Sequence, residues 1–255
     1  MLTEVTLGIS LKAYLGLADT ERWLTGVRQL TMPATMRLFV LPSYLAIGAA
    51  LRILEGTPID VGGQDVSSEG PGPWTGEVTA AALAEAGGTH AEMGHSERRR
   101  LHGETDAQVA DKVGRSLAAG LTPVLCVGEA AHGSDNDAAA TVRQQLSCRL
   151  AQAGTGSELL VAYEPEWAIG ATEPASLDRI TAVTAVIRTV ADEAGLAVRV
   201  LYGGSADRGL FSELSRTAAP GQCPDGLFLG RAALNLANLT SIVDELSQAL
   251  RPEAA

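Results

Sequence analysis

The chain has 255 residues, 46% of them hydrophobic and 19% charged, the balance of an ordinary globular protein and far from a disordered composition. Its formal charge of −11 argues against nucleic acid or an anionic membrane surface as a partner, because both select cationic surfaces. Cys126, Cys148 and Cys223 show no C-x-x-C spacing and cannot complete a disulfide framework, so neither a zinc site nor an oxidised scaffold is expected.

Short apolar runs bounded by turn residues predict strands over 5–9, 38–42, 59–63, 90–94, 124–128, 159–164, 198–202 and 227–230. Alanine-rich stretches lie between them, such as 79–86, 106–118, 138–151 and 177–193, with 239–250 near the end. Their composition favours helix and their apolar spacing allows one face to pack on a sheet. Strand and helix alternate throughout, and runs such as 123–127 and 159–163 are continuously apolar, as parallel strands buried on both faces require. No Pro/Ser/Gly-rich linker divides the chain, and no G-x-G-x-x-G follows the first strand. The expected architecture is therefore one α/β domain over 1–255, a closed (β/α)8 barrel rather than a doubly wound sheet. The first residues carry no basic segment before an apolar one, and no run reaches the roughly 18 apolar residues of a membrane span, so a cytoplasmic protein is expected.

In such a barrel the C-terminal strand ends converge on one face. They supply Ser10 and Lys12, Gln64 and Asp65, His95 with Ser96 and Glu97, Gly128 with Glu129, Glu164, Gly203-Gly204-Ser205, and Gly230-Arg231. In "VAYEPEWAIG" the strand delivers Glu164 and continues through Pro165 and Trp167, the pattern of a base mounted on the hinge of a lid that spans 168–176. "GHSERR" sets His95 at the start of a helical turn with Ser96 as its cap, where the helix N-terminus favours a neutral imidazole. The run Arg98-Arg99-Arg100 reads as a solvated helix face. "LYGGSADRG" and "GLFLGR" are glycine turns after the last two strands, where backbone N–H groups can approach a phosphate.

These segments, together with "HGETDAQV", "GLTPVLCVGE" and "DGLFLG", resemble the triosephosphate isomerase family from "LGISLKAYLG" near the start to "DGLFLGRAAL" near the end. That family is itself a standard illustration of a neutral histidine paired with a glutamate base. The resemblance implies that Glu164 is the base, His95 the electrophile and Lys12 the stabilising cation, with Glu97 supporting Lys12. It implies substrate contacts from Ser10, Gly170, Gly204, Ser205, Gly230 and Arg231, and a short-chain phosphosugar as substrate. No metal or other cofactor is implied. "GPWTGE" resembles the family's protruding loop, so a homodimer with Thr75 at the interface is implied as well.

The match departs from the family in four places. Ser10-Leu11-Lys12 stands where ordinary members carry Asn-Trp-Lys, Gln64-Asp65 replaces glutamine and asparagine, and the lid tip reads Gly170-Ala171-Thr172-Glu173-Pro174. The last strand ends in Gly230-Arg231 rather than two glycines. Ser10, the lid and Arg231 resemble the branch that converts L-erythrulose 1-phosphate to D-erythrulose 4-phosphate. The alternatives are isomerisation of triose phosphates, or a phosphosugar-binding protein with little turnover.

Overall fold

In the computed structural model, which describes residues 4–250, the strands are β1 (Val5–Ser10), β2 (Met36–Leu41), β3 (Ile59–Gly63), β4 (His90–Met93), β5 (Thr122–Val127), β6 (Glu158–Tyr163), β7 (Ala197–Tyr202) and β8 (Gly226–Leu229). Every neighbouring pair is parallel and β8 pairs back onto β1, so the eight strands close into the expected barrel. The helices are α1 (Leu17–Val27), α2 (Ile47–Leu54), α3 (Ala80–Glu85), α4 (Ser96–His102), α5 (Asp106–Ala118), α6 (Asp135–Arg149), α7 (Leu177–Glu193), α8 (Leu210–Thr217) and α9 (Leu236–Ala249). None is long and apolar enough to cross a membrane.

Alternation along each strand divides the core in two. Outward residues such as Leu7, Ile9, Val161 and Tyr163 join the helices in one buried layer. Inward residues Phe39, Leu41, Val124, Cys126, Leu160, Ala162, Leu201 and Phe228 fill the lumen. Gly8 is part of this packing, since a Cβ there would lie 2.3 Å from the Phe39 ring and 2.6 Å from that of Phe228.

Caps fix where helices begin. Reciprocal capping boxes, Thr105 with Gln108 and Ser134 with Asp137, open α5 and α6, and the Asn235 side chain accepts the Asn238 N–H to open α9. Thus α6 and α9 start ahead of the alanine- and leucine-rich stretches that announce them. Arg149, fully buried on α6, donates to the Asp106 carboxylate at 2.8 Å and the Cys126 carbonyl at 2.6 Å. This ties α6 to the start of α5 and to β5, near the C-terminal ends of the strands.

Candidate active site

β1, β4 and β6 carry one chemical group each to the same end of the barrel. Lys12 follows β1 with φ of 47°, a left-handed conformation uncommon for a side-chain-bearing residue and often found at functional sites. The Gln64 amide holds that turn, donating to the carbonyls of Lys12 at 2.8 Å and Leu41 at 2.9 Å. The Lys12 ammonium then reaches Glu97 at 2.9 Å. Burial opposes the charge on Lys12, but the Glu97 hydrogen bond, with Glu164 and Glu92 nearby, lifts its pKa above the ordinary value.

His95 caps α4 with its own ring. The Glu97 N–H donates to His95 Nδ1 at 3.1 Å, so Ser96 is not the cap that the sequence suggests; it is the first helical residue. The ring takes the position because its nitrogen satisfies a free amide of the helix start. With Nδ1 accepting, the neutral imidazole carries its hydrogen on Nε2. That atom is buried without a hydrogen-bond partner, as is Glu164 Oε2, and the two face each other at 3.7 Å. Buried polar atoms are rarely left unpartnered, and this separation is too long for a hydrogen bond. Each atom therefore keeps its hydrogen-bonding capacity for a group that approaches the pair from the side.

Glu164 is 7% exposed and is packed closely by backbone. A Cβ on Gly203 would lie 2.7 Å from its Cγ and Oε1, so only glycine leaves room for the carboxylate at that point. Pro165 opens a short 3-10 turn, Glu166–Ala168, and Trp167 donates to Glu129 at 3.0 Å. Glu129, a buried strand-end acid, also accepts from Tyr163 at 3.2 Å and from Arg179 at 3.4 Å. It anchors the hinge and does not line the cavity.

A cavity of about 710 Å³ opens beside these groups, lined deep down by Ser10, Lys12 and Glu164 and at the mouth by Gly170, Ser205, Gly230 and Arg231. Ser205, also left-handed with φ of 56°, donates to the Ala168 carbonyl at 2.6 Å. Arg231 donates to the Gly170 carbonyl at 3.0 Å, so its guanidinium spans the cavity mouth from the β8 turn to the loop after β6. Gly204 lies behind the lining, its carbonyl accepting from Tyr202 at 2.6 Å.

Other predicted residues sit elsewhere. Asp65 is buried in an ion pair with Lys112 at 2.6 Å and Arg98 at 2.9 Å. The three-arginine run is not a solvated face: Arg98 reaches Asp65, Arg99 pairs with Glu166, and Arg100 lines the cavity. Acidic partners from the loop after β3 and from the hinge after β6 draw two of these side chains inward.

One buried acid escapes a reading confined to strand ends. Glu92 lies inside β4, 3% exposed, and accepts a hydrogen bond from Ser10 Oγ at 2.7 Å. Burial pushes its pKa up to about 7, with His95 opposing the rise and Glu164 adding to it. The signal in the sequence is "HAEM", where two ionisable residues occupy alternate positions of a central strand.

Residues 5–246 match the family described as triosephosphate isomerase. Among similar proteins, the L-erythrulose-1-phosphate isomerase of Pectobacterium atrosepticum is 40% identical, covering 95% of each chain. The L-erythrulose-1-phosphate isomerase of Brucella abortus is 39% identical over 80% of this chain and 81% of its own. The triosephosphate isomerase of Thermus thermophilus is 37% identical over 89% of this chain and 92% of its own. On the barrel, on the residues that meet at its mouth and on these matches, the chain belongs to the triosephosphate isomerase family, whose members are cofactor-independent sugar-phosphate isomerases.

Proposed function

We propose that this isomerase converts L-erythrulose 1-phosphate to D-erythrulose 4-phosphate through an enediolate. The observation that carries the mechanism is the unpartnered pair, His95 Nε2 and Glu164 Oε2, facing each other at 3.7 Å beside Lys12. The Glu164 carboxylate removes a proton from the carbon next to the carbonyl. The C–H electron pair becomes the new C=C bond, and the carbonyl π pair moves onto oxygen. The His95 Nε2–H and the Lys12 ammonium hold that developing charge, and His95 moves a proton between the two oxygens. Glu164 then returns its proton to the adjacent carbon. Base catalysis of this kind supplies about 10²–10⁴-fold, and each oriented donor roughly 3 kcal/mol in the transition state.

The phosphate binds at the cavity mouth, on the backbone turns at Gly170, Ser205 and Gly230, with Gly204 shaping the second turn and Arg231 adding a charge-assisted contact. Glu97 fixes the Lys12 ammonium through their ion pair at 2.9 Å. The match over 95% of both chains to an L-erythrulose-1-phosphate isomerase supports the four-carbon substrate, as does the small Ser10 at the cavity floor. Triosephosphate isomerases at 36–42% identity support triose phosphate as the second reading. Assembly as a homodimer, with Thr75 reaching the neighbouring subunit, follows from the family resemblance.

The test is kcat/KM on L-erythrulose 1-phosphate and on D-glyceraldehyde 3-phosphate in one buffer, with Glu164→Gln alongside. The tetrulose phosphate is expected to be preferred, and Glu164→Gln to lose at least about 100-fold. Preference for the triose phosphate reverses the substrate assignment, and near wild-type turnover by Glu164→Gln removes the base.

A further inference from the structure

The lumen beneath the cavity holds a polar pair embedded in apolar packing. Gly8 and Ser10 project inward from β1, where Phe39 and Phe228 crowd Gly8. From β4, His90 stacks on Phe39 with ring centroids 4.5 Å apart, and Glu92, two residues on, points the same way. The Glu92 carboxylate accepts from Ser10 Oγ at 2.7 Å and lies 3.9 Å from the Cys126 thiol of β5. A buried acid is costly unless it is hydrogen-bonded, so retaining it among Phe, Leu and Val side chains calls for a function.

The chemistry of a hydroxyl suggests one. Ser10 has a single hydrogen and two lone pairs. Its hydrogen is committed to Glu92, and Ser10 itself lines the cavity while Glu92 does not. What Ser10 presents to a ligand is therefore an acceptor. Ser10 is the last residue of β1, inside the barrel, whereas Gly170, Ser205, Gly230 and Arg231 lie beyond the strand ends at the cavity mouth. With a phosphate at the mouth, the opposite end of the substrate faces Ser10. A tetrulose phosphate differs from a triose phosphate at that end, by an added hydroxymethyl group with one more O–H donor.

We propose that Glu92 is a specificity-determining positioning residue, which turns the Ser10 hydroxyl into an acceptor for the terminal hydroxyl of a four-carbon sugar phosphate. The inference rests on the tetrulose-phosphate reading above. A small hydroxyl at position 10 leaves space for the extra carbon, and the buried carboxylate behind it sets the polarity of that space. A triose phosphate has no group to fill it, so Ser10 stays unsatisfied when the shorter substrate binds. Sites built to bond a substrate hydroxyl discriminate strongly against analogues that lack it.

The experiment is the ratio of kcat/KM for L-erythrulose 1-phosphate over D-glyceraldehyde 3-phosphate, at about pH 8, for wild type, Glu92→Leu and Glu92→Gln, each checked for native circular dichroism. Glu92→Leu frees the Ser10 hydrogen and is expected to lower the ratio by about tenfold or more. Glu92→Gln keeps an acceptor oxygen toward Ser10 and is expected to restore the ratio to within about threefold of wild type. Should Glu92→Leu fail to fold, Ser10→Ala carries the same test, because it removes the acceptor and leaves Glu92 in place. An unchanged ratio, or equal losses on both substrates, overturns the inference while the substrate reading stands. Wild-type enzyme without activity on the tetrulose phosphate overturns the substrate reading itself, and this inference with it.

Discussion

Glu92 places a titrating acid in the middle of the barrel, and its cost to the fold is set by pH. Its carboxyl ionises near 4.5 when exposed and about 7 in the folded protein, so between those values the folded state holds a proton that the unfolded chain has released. Stability contributed by the protonated acid is fully present below about pH 4.5 and declines as pH rises through about 7. At 1.36 kcal/mol per unit the plateau loss is about 3 kcal/mol. The groups that set this value come from several elements: Ser10 on β1 and Lys12 after it, His95 at the start of α4 and Glu164 after β6, with the Cys126 thiol of β5 alongside. Glu92→Gln removes the titration. Urea unfolding should therefore show the variant gaining on wild type between about pH 5 and 8, by up to about 3 kcal/mol. A difference that stays flat with pH would show that Glu92 does not carry this proton.

At the scale of elements, the β6 hinge and the β7 turn are joined by one phenol. Tyr202 at the end of β7 is fully buried; its hydroxyl accepts from the Ala175 N–H at 2.8 Å and donates to the Gly204 carbonyl at 2.6 Å. This relay fastens the far end of the loop after β6 to the turn that precedes Ser205. Tyr202→Phe leaves a buried N–H and a carbonyl unpaired, so it should lower unfolding free energy by about 1–3 kcal/mol, measured in urea. A loss below about 0.5 kcal/mol would mean that water replaces the phenol without cost. The elements themselves were legible to different degrees. Buried parallel strands announce themselves as apolar runs, and α5 and α7 fall on the residues that their composition marks. α4 was legible as a helical turn at His95 and a helix face at Arg98-Arg99-Arg100, but its histidine cap and the inward ion pairs of its arginines were not, because a ring cap is unusual and arginines look like surface. Glu92 was not legible, because a reading that looks for chemistry after each strand passes over an acid inside one. Its partner Ser10 was legible as a departure, but the reason for that departure needed the 82-residue separation to be closed in space.

The whole molecule is asymmetric in where it exposes large apolar side chains. Among the described residues, Tyr14 and Leu17 follow β1, Tyr44 and Leu45 follow β2, Trp74 follows β3 and Leu101 follows β4. No such side chain follows β5 to β8 among those residues, although the polar cavity mouth draws on β6, β7 and β8. One half of the barrel thus carries apolar surface while the other supplies the turns proposed to hold the phosphate. Where such side chains gather into one patch they mark an association surface, and a stable interface needs about 1,600 Å² in total. The loop carrying Trp74 and Thr75 belongs to the apolar half, and the Lys12 segment adjoins Tyr14 within the cavity lining. A homodimer through this half would cover the surface and brace the turn that holds Lys12 in its left-handed conformation. Sedimentation equilibrium at micromolar concentration should give twice the 26.4 kDa chain mass, and Thr75→Asp should shift the protein toward the single-chain mass. Because the Lys12 turn would then lose its brace, the monomeric variant should also lose at least about tenfold in kcat/KM, with the barrel's circular dichroism retained. A wild-type protein that sediments as one chain would remove the assembly from the proposal. A monomeric variant with full activity would leave the dimer but show that Lys12 is held by Gln64 and Glu97 alone.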